Sequence, residues 1–356
     1  MNKSFWKEKK VFITGHTGFK GGWLSIWLAE SGAKVTGYSL KPETSPSLFE
    51  SCLIEKKINS VIGDVRDEQK LKQTIRETQP DIVFHLASQP LVLKSYENPV
   101  ETYEINLMGT VNILNAIRDI TSVKSFINVT SDKCYANDEN LKAFKENDSM
   151  GGFDPYSSSK ACSELITAAY RASFFKNSVG IATARAGNVI GGGDWAENRI
   201  IPDFIKKIQQ KQKLVIRNPE SIRPWQFILE PLNGYLMLAE KLFQNSLDYA
   251  ESWNFGPNKQ DDKTVEWLIS KFDKEYGAGN GDSFQIVSSK KSFHESKYLK
   301  LDCSKSIARL NWSPKLDIEK SISMTCDWYK NFYEDNEDMY AFTLKQIKQF
   351  ELNIKR

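Results

Sequence analysis

Two short runs carry residue types that could do chemistry together. The first is Thr130-Ser131-Asp132-Lys133, where an apolar run, Ser125-Phe-Ile-Asn-Val129, delivers hydroxyls, a carboxylate and an amine in succession. The second is Tyr156-Ser-Ser-Ser-Lys160. A Tyr and a Lys four residues apart share one face of a helix, one turn from each other. An ammonium beside a phenol favours the phenolate and so lowers the phenol pKa. Five titratable or polar groups could therefore converge at one strand end.

The elements that must position these residues follow from periodicity. Lys10 to Gly15 is a short apolar strand. It runs into Gly15-His-Thr17-Gly18-Phe19-Lys20-Gly21-Gly22 and a helical stretch from Trp23 to Glu30, with Gly32 as a stop. Lys34 to Leu40 is a second strand, which completes a βαβ unit with a glycine-rich first turn. Glycines there let backbone N–H groups approach a pyrophosphate at a helix N-terminus. Gly15, Thr17, Gly18, Phe19 and Lys20 are the candidate cofactor contacts in that turn.

An acid is expected about twenty residues on, to hold the adenosine ribose. The second strand ends instead on Ser39-Leu40-Lys41. Ser39 offers a ribose hydroxyl a weak partner. Lys41 admits two readings, a 2′-phosphate partner or a solvated loop charge.

Further strands are expected over Ile58–Asp67, Asp81–Gln89, Ser125–Thr130 and Val179–Ala184, with helices over Tyr103–Arg118 and Tyr156–Phe174. Asp64 and Val65 would meet the adenine edge, and Leu86, Ala87 and Ser88 would line the cofactor. Asn106 and Thr130 complete the cofactor set. His85 lies in an apolar strand and reads as a buried, satisfied histidine. Strand and helix alternate without internal repeats, so the fold class is α/β, a doubly wound parallel sheet.

After Arg185 the character changes. Arg185-Ala-Gly-Asn188-Val-Ile-Gly-Gly-Gly-Asp194-Trp195 leaves the sheet, and Asn198-Arg199 and Ser221-Ile-Arg223-Pro-Trp225-Gln-Phe227 follow. Arg199 and Arg223 suit a diphosphate, because the guanidinium fork matches phosphate oxygens; a surface ion pair is the alternative for each.

Composition excludes several classes. A net charge of +3 over 356 residues gives no case for nucleic acid or an anionic membrane. Five scattered Cys without a C-x-x-C fit reduced thiols in a cytoplasm, and no cluster has metal-ligand spacing. The absence of a leader-like or membrane-spanning apolar run leads to the expectation of a soluble cytoplasmic protein.

Taken together, Thr14-Gly-His-Thr-Gly-Phe-Lys-Gly-Gly-Trp-Leu24, Thr130-Ser-Asp-Lys-Cys-Tyr135, Tyr156-Ser-Ser-Ser-Lys160, the Arg185–Trp195 string and Arg223-Pro-Trp-Gln226 resemble the CDP-glucose 4,6-dehydratases. These belong to the extended short-chain dehydrogenase/reductase superfamily, and the resemblance covers residues 9 to about 330. dTDP-glucose dehydratases usually carry Asp-Glu where this chain has Asp132-Lys133. Phe227 departs from the pattern, which has His there.

The resemblance implies a Rossmann domain over residues 1–186, to which 230–256 return, and a substrate lobe from 187–229 and 257–356. It implies NAD as cofactor and a place in deoxysugar and lipopolysaccharide biosynthesis. It also implies a homodimer, or a tetramer, built on helices near 103–118 and 156–174. The substrate CDP-glucose would contact Gln89, Asn188, Trp195, Arg199, Arg223 and Trp225. Tyr156 would take the 4-hydroxyl proton, Lys160 would lower the Tyr pKa, and Ser131 would hold the 4-oxygen. Asp132 would protonate the leaving 6-hydroxyl while Lys133 takes the C5 proton. That division needs Asp132 shifted up and Lys133 shifted down, and an ion pair between them would oppose both. A 4-epimerase, which needs only Ser131, Tyr156 and Lys160, and a non-catalytic NAD-binding protein are the rival readings.

Overall fold

The computed structural model describes residues 2–137, 142–176, 178–277, 283–287, 298–335 and 338–354. Its centre is a seven-stranded sheet built from β1 (Lys10–Thr14), β2 (Lys34–Ser39), β3 (Asn59–Ile62), β4 (Ile82–His85), β5 (Ser125–Val129), β6 (Gly180–Ala186) and a late strand, Ser252–Phe255. The spatial order is β3-β2-β1-β4-β5-β6, with Ser252–Phe255 on the outer side of β6, and every pairing is parallel. The order reverses between β1 and β4, and the crevice beyond the strand ends at such a reversal is where this kind of sheet takes ligands.

Alternation along β1 explains the two layers of core. Val11 and Ile13 face a cluster that includes Trp23, Trp27 and Phe84, while Phe12 faces Tyr38, Leu71, Ile75 and Phe126 on the other side. Helix α1 (Phe19–Glu30) is buried along most of its length because both its sides are covered. Gly21 lets it close on the first turn: a Cβ there would fall 2.1 Å from the Gly15 carbonyl oxygen.

Helix α2 (Glu68–Thr78) starts on Asp67, whose side chain accepts from the Lys70 N–H. Helix α3 runs through Pro99–Tyr103, widens to a π turn over Glu104–Met108 and continues over Gly109–Ile117. Such a bulge re-aims side chains and often marks a working site. Helix α4 (Pro155–Phe174) opens on Asp154 with proline at its first position.

The smaller lobe carries β7 (Val189–Ile190), β8 (Leu214–Ile216), β9 (Ile222–Pro224) and β10 (Gln226–Phe227), with helix α5 (Ile200–Gln209) between β7 and β8. Helix α6 (Leu229–Gln244) follows, and then the late sheet strand, β11 (Ser252–Phe255). After β11 come β12 (Asp262–Thr264), α7 (Val265–Tyr276) and β13 (Phe284–Ile286). The lobe strands pair as β7 with β10, β9 with β12, and β8 with β13.

Two features differ from the sequence expectation. β6 runs two residues further, so Arg185 lies inside a buried strand and not in the exit loop. The last two helices, α8 (Ile318–Lys330) and α9 (Met339–Ile354), do not all keep to the lobe. α9 packs on α1, with Trp27 meeting Phe350 edge-on at 5.8 Å and donating to Glu351 Oε1 at 2.9 Å.

Candidate active site

A cleft of about 840 Å³ opens between the carboxyl ends of the sheet strands and the lobe. Its floor is the glycine turn. Gly15 sits at φ +80, where only glycine is unstrained, and a Cβ there would fall 2.8 Å from the Ala87 nitrogen. Gly18 is the N-cap of α1; it makes no side-chain cap and a Cβ there would meet only the Gly15 carbonyl oxygen, at 3.4 Å. The first N–H groups of α1 therefore point at the cleft without a competing side chain, and the first turn carries no acid. This cradle fits the pyrophosphate of a dinucleotide. Phe19, Lys20, Leu86, Ala87 and Ser88 line the same wall.

The end of β2 holds no carboxylate. Ser39 and Thr17 pair through their hydroxyls at 2.9 Å, and Thr17 donates to the Leu40 carbonyl. Asp64 and Val65 line the next stretch, with the Asp64 carboxylate gripped by Arg66 at 2.6 and 2.9 Å. Lys20 reaches inward. Burial and the nearby Arg199 pull its pKa down to about 8, against the pull of Asp132 and Asp194.

The reacting groups meet above this floor. Ser131 follows β5 and caps a single tight turn, Asp132–Cys134: its Oγ accepts from the Lys133 N–H at 3.2 Å and donates to Asp132 Oδ1 at 3.0 Å. Burial raises the pKa of Asp132, opposed by Lys133, the Ser131 hydrogen bond, Lys20 and Arg223. An upward shift is the direction a proton donor needs. Lys133 is half-buried beside it and lines the cleft.

Asp154 anchors α4 by accepting from the Ser157 N–H at 2.9 Å and its hydroxyl at 2.6 Å. Tyr156 and Lys160 then face the cleft. The expectation that Lys160 lowers the Tyr156 pKa differs from the balance at the phenol, where Lys160 is not among the leading causes. Burial pushes the phenol up to about 12 and Asp132 adds to that, while a Ser131 hydrogen bond and Arg199 pull it down. Lys160 itself is driven down to about 7 by burial and by Lys20. Burial, the largest cause for each group, disfavours the charged form of both side chains, the phenolate of Tyr156 and the ammonium of Lys160.

Several expected contacts have other work. Gln89 is buried; its amide donates to Thr102 and the Leu91 carbonyl and accepts from the Leu91 N–H, so it closes its own turn. Asn106, in the π turn of α3, does not line the cleft. It accepts from the Gln89 N–H at 2.8 Å and donates to the Gln89 carbonyl and to Ser159 at 2.9 Å. Thr130 donates its hydroxyl to Glu164 at 2.5 Å. Trp195 is packed against Trp328, Tyr329 and Phe332 and donates to the Tyr333 hydroxyl, and Trp225 donates to the Lys263 carbonyl. Both rings border the cleft as walls, with their N–H groups already used. Arg199, held by Asp194 at 2.8 Å, Arg223 and Asn188 also line it. Phe227 is fully buried with its ring against Trp23, so the departure from the family pattern places a core residue there. His85 is buried as expected, with Thr14 Oγ1 at 2.7 Å from Nδ1, and burial and Lys160 lower its pKa to about 3.

Sequence reasoning missed one assembly altogether. Glu164, one turn beyond Lys160, forms a buried pair with Arg185 of β6 (Nε–Oε1 2.9 Å, Nη2–Oε2 2.7 Å). The signal was present as opposite charges in two segments that otherwise read as buried, but the boundary set at Ala184 left Arg185 outside its strand.

A family model described as GDP-mannose 4,6 dehydratase matches residues 12–325. The chain belongs to this nucleotide-sugar dehydratase family. Within the family it is 46% identical to the CDP-glucose 4,6-dehydratase of Salmonella typhimurium, over 98% of each chain. It is 25% identical to the dTDP-glucose 4,6-dehydratase of Xanthomonas campestris pv. campestris, over 89% of this chain and 92% of that one. Among solved structures, the UDP-glucose 4-epimerase of Thermotoga maritima with UDP-glucose superposes with a TM-score of 0.78 at 20% identity, covering 91% of this chain and 99% of that chain. The dTDP-glucose 4,6-dehydratase of Bacillus anthracis in complex with NAD gives 0.77 at 20%, covering 92% and 98%. At these identities the structures support the fold, which is the short-chain dehydrogenase/reductase form of the sheet expected from the family motifs. Among the described residues, no group of three or more His, Cys, Asp or Glu side chains could hold a metal ion, and no helix is long and apolar enough to cross a membrane. The five Cys are free thiols.

Proposed function

We propose that the chain is a CDP-glucose 4,6-dehydratase, a hydro-lyase that converts CDP-glucose to CDP-4-dehydro-6-deoxy-glucose and water. One observation carries the reading: Asp132 and Lys133 lie on a turn that opens into the same cleft as Tyr156 and Lys160. A 4-epimerase has no use for that second pair. The 46% identity to a CDP-glucose enzyme, against 25% to dTDP-glucose enzymes, supports CDP as the nucleotide.

The cofactor is NAD, for which the Gly15–Lys20 cradle and the uncapped start of α1 provide the pyrophosphate seat. When bound, NAD would supply a reversible hydride acceptor, so that oxidation at C4 and reduction at C6 leave no net redox change. Tyr156 takes the proton of the sugar 4-hydroxyl, and Ser131 hydrogen-bonds the oxygen as it becomes a carbonyl. The 4-keto group makes the C5 proton acidic. Lys133 removes that proton while Asp132 gives its proton to the 6-oxygen, which leaves as water; as hydride reaches C6, Lys133 returns a proton, exchanged with solvent, to C5. Burial already disposes Asp132 to carry that proton. Lys160 would orient the nicotinamide ribose. Arg199, Arg223 and Asn188 hold the diphosphate and sugar.

A homodimer through α3 and α4 is part of the same reading. Val100, Met108 and Leu165 expose 70%, 46% and 59% of their surface on these two helices, which suits burial against a second copy. Incubating the NAD-loaded protein with CDP-glucose in deuterated water tests the function. The product should be a 4-keto-6-deoxy sugar with solvent deuterium at C5; a C4-epimerised hexose without it would favour the rival.

A further inference from the structure

The turn that bears Asp132 and Lys133 is held at both ends by one buried ion pair. At its entry, Thr130 donates to Glu164 Oε1 at 2.5 Å. At its exit, the Tyr135 hydroxyl accepts from Arg185 Nη1 at 2.7 Å and donates to Asn254 Oδ1 at 2.7 Å. Arg185 closes the circuit through its two bonds to Glu164 and a third to the Glu146 carbonyl at 3.1 Å. Thr183 and Ser252 supply further donors to Glu164 Oε2 at 2.6 and 3.3 Å. Glu164 and Arg185 are each 2–3% exposed, and the Arg185 guanidinium also lies 4.9 Å from the Tyr135 ring.

The positions of these residues give the pair a specific reach. Glu164 stands four residues after Lys160 on α4, on the same face. Thr130 immediately precedes Ser131, and Tyr135 immediately follows Cys134, the last residue of the turn. One carboxylate–guanidinium fork therefore spans the helix that carries Tyr156 and Lys160 and the turn that carries Asp132 and Lys133. Fork-to-fork pairs of this type fix orientation as well as distance. A buried pair is weak evidence of stabilisation, since desolvation offsets much of its attraction, but it can hold a register between elements.

The geometry points to Glu164, Arg185 and Tyr135 as positioning residues that set the elimination pair, Asp132 and Lys133, against the oxidation pair, Tyr156 and Lys160. This role rests on the dehydratase reading above. Its consequence is selective. Oxidation at C4 draws on Tyr156 and Lys160, which α4 fixes independently through Asp154, and on Ser131 at the turn's entry, away from its Tyr135 end. Loss of hydrogen to solvent from C5 draws on the turn, whose Tyr135 end is held by the hydroxyl bonds to Arg185 and Asn254 beside a backbone bridge to Met150. A misplacement of about 1 Å in such a group can cost on the order of 100-fold.

The test measures two rates in one holoenzyme preparation with CDP-glucose. Single-turnover cofactor reduction reports C4 oxidation, and deuterium uptake from solvent reports C5 chemistry. Tyr135→Phe removes only the bridging hydroxyl and keeps the ring stacked on Phe144 at 4.9 Å, so it is the variant most apt to keep the fold; Arg185→Lys removes the fork. The expected result is a fall in the ratio of C5 uptake to C4 oxidation of about 10-fold or more in both, as for a displaced catalytic group. An unchanged ratio in Tyr135→Phe, or an equal loss of both rates, would overturn the positioning role. Cofactor reduction without any C5 uptake in the unaltered protein would instead overturn the dehydratase reading itself.

Discussion

Gly187 stands where any side chain would displace the carboxylate of Asp132. A Cβ at Gly187 would fall 2.6 Å from Asp132 Oδ2, well inside contact distance. Gly187 directly follows β6, and Asp132 lies on the turn after β5, the neighbouring strand. The acid of the proposed mechanism is thus seated against bare backbone.

Gly187→Ala should therefore fold normally but lose elimination. The alanine methyl forces Asp132 to move, and the expected loss in turnover is about 10-fold or more, in the range of other small misplacements. Steady-state rates with CDP-glucose, alongside a melting curve that stays close to that of the parent, check this.

Lys133→Met should separate the two halves of the chemistry. Slow C4 oxidation should persist, because Tyr156, Lys160 and Ser131 are untouched. Exchange of the C5 hydrogen with deuterated water should vanish. Intact exchange in this variant would remove Lys133 from the role of base.

Much of the fold was legible because its signals are local. The Gly15–Gly22 turn between strand and helix, and the alternation of apolar runs after it, specify a doubly wound parallel sheet; the reversal between β1 and β4 is what the structure adds. The site was legible in part. Ser131, Asp132, Lys133, Tyr156 and Lys160 do converge on one cleft. Gln89, Asn106 and Thr130 were legible as polar residues near it, but their partners come from other segments: Thr102, Ser159 and Glu164. A single sequence shows a polar side chain and does not show which distant group satisfies it. Trp195 and Trp225, expected to contact the substrate, do border the cleft, but their N–H partners, Tyr333 and Lys263, lie far along the chain.

The stability of the ligand-free protein should rise between pH 7 and pH 9. Burial lowers Lys160 from 10.5 to about 7 and Lys20 from 10.5 to about 8. In that window the unfolded chain holds both protons and the folded chain releases them, so unfolding binds protons and becomes less favourable as pH rises. The ordinary thiol value of 9.0, above which Cys52, raised by burial to about 12, works in the opposite sense, bounds the window from above. Melting temperatures across it should show a positive slope that Lys160→Met reduces.

Trp195→Phe should cost stability more than affinity. The ring packing against Trp328 and Phe332 is largely kept, and the bond to the Tyr333 hydroxyl at 3.0 Å is lost. A penalty of about 1 kcal/mol is expected for one such bond. Denaturant unfolding measures it, and an unchanged KM for CDP-glucose is the companion result.

Leu165→Asp should weaken self-association. The residue is 59% exposed on α4, and a charge there would be desolvated in a helix-to-helix contact. Light scattering should give a dimer mass for the parent and a shift towards monomer for the variant.

The most direct measurement of the central claim offers the NAD-supplemented protein CDP-, dTDP-, UDP- and GDP-glucose separately in deuterated water. The account predicts a 4-keto-6-deoxy product with deuterium at C5 from CDP-glucose alone. Turnover of dTDP-glucose with CDP-glucose left intact would contradict it.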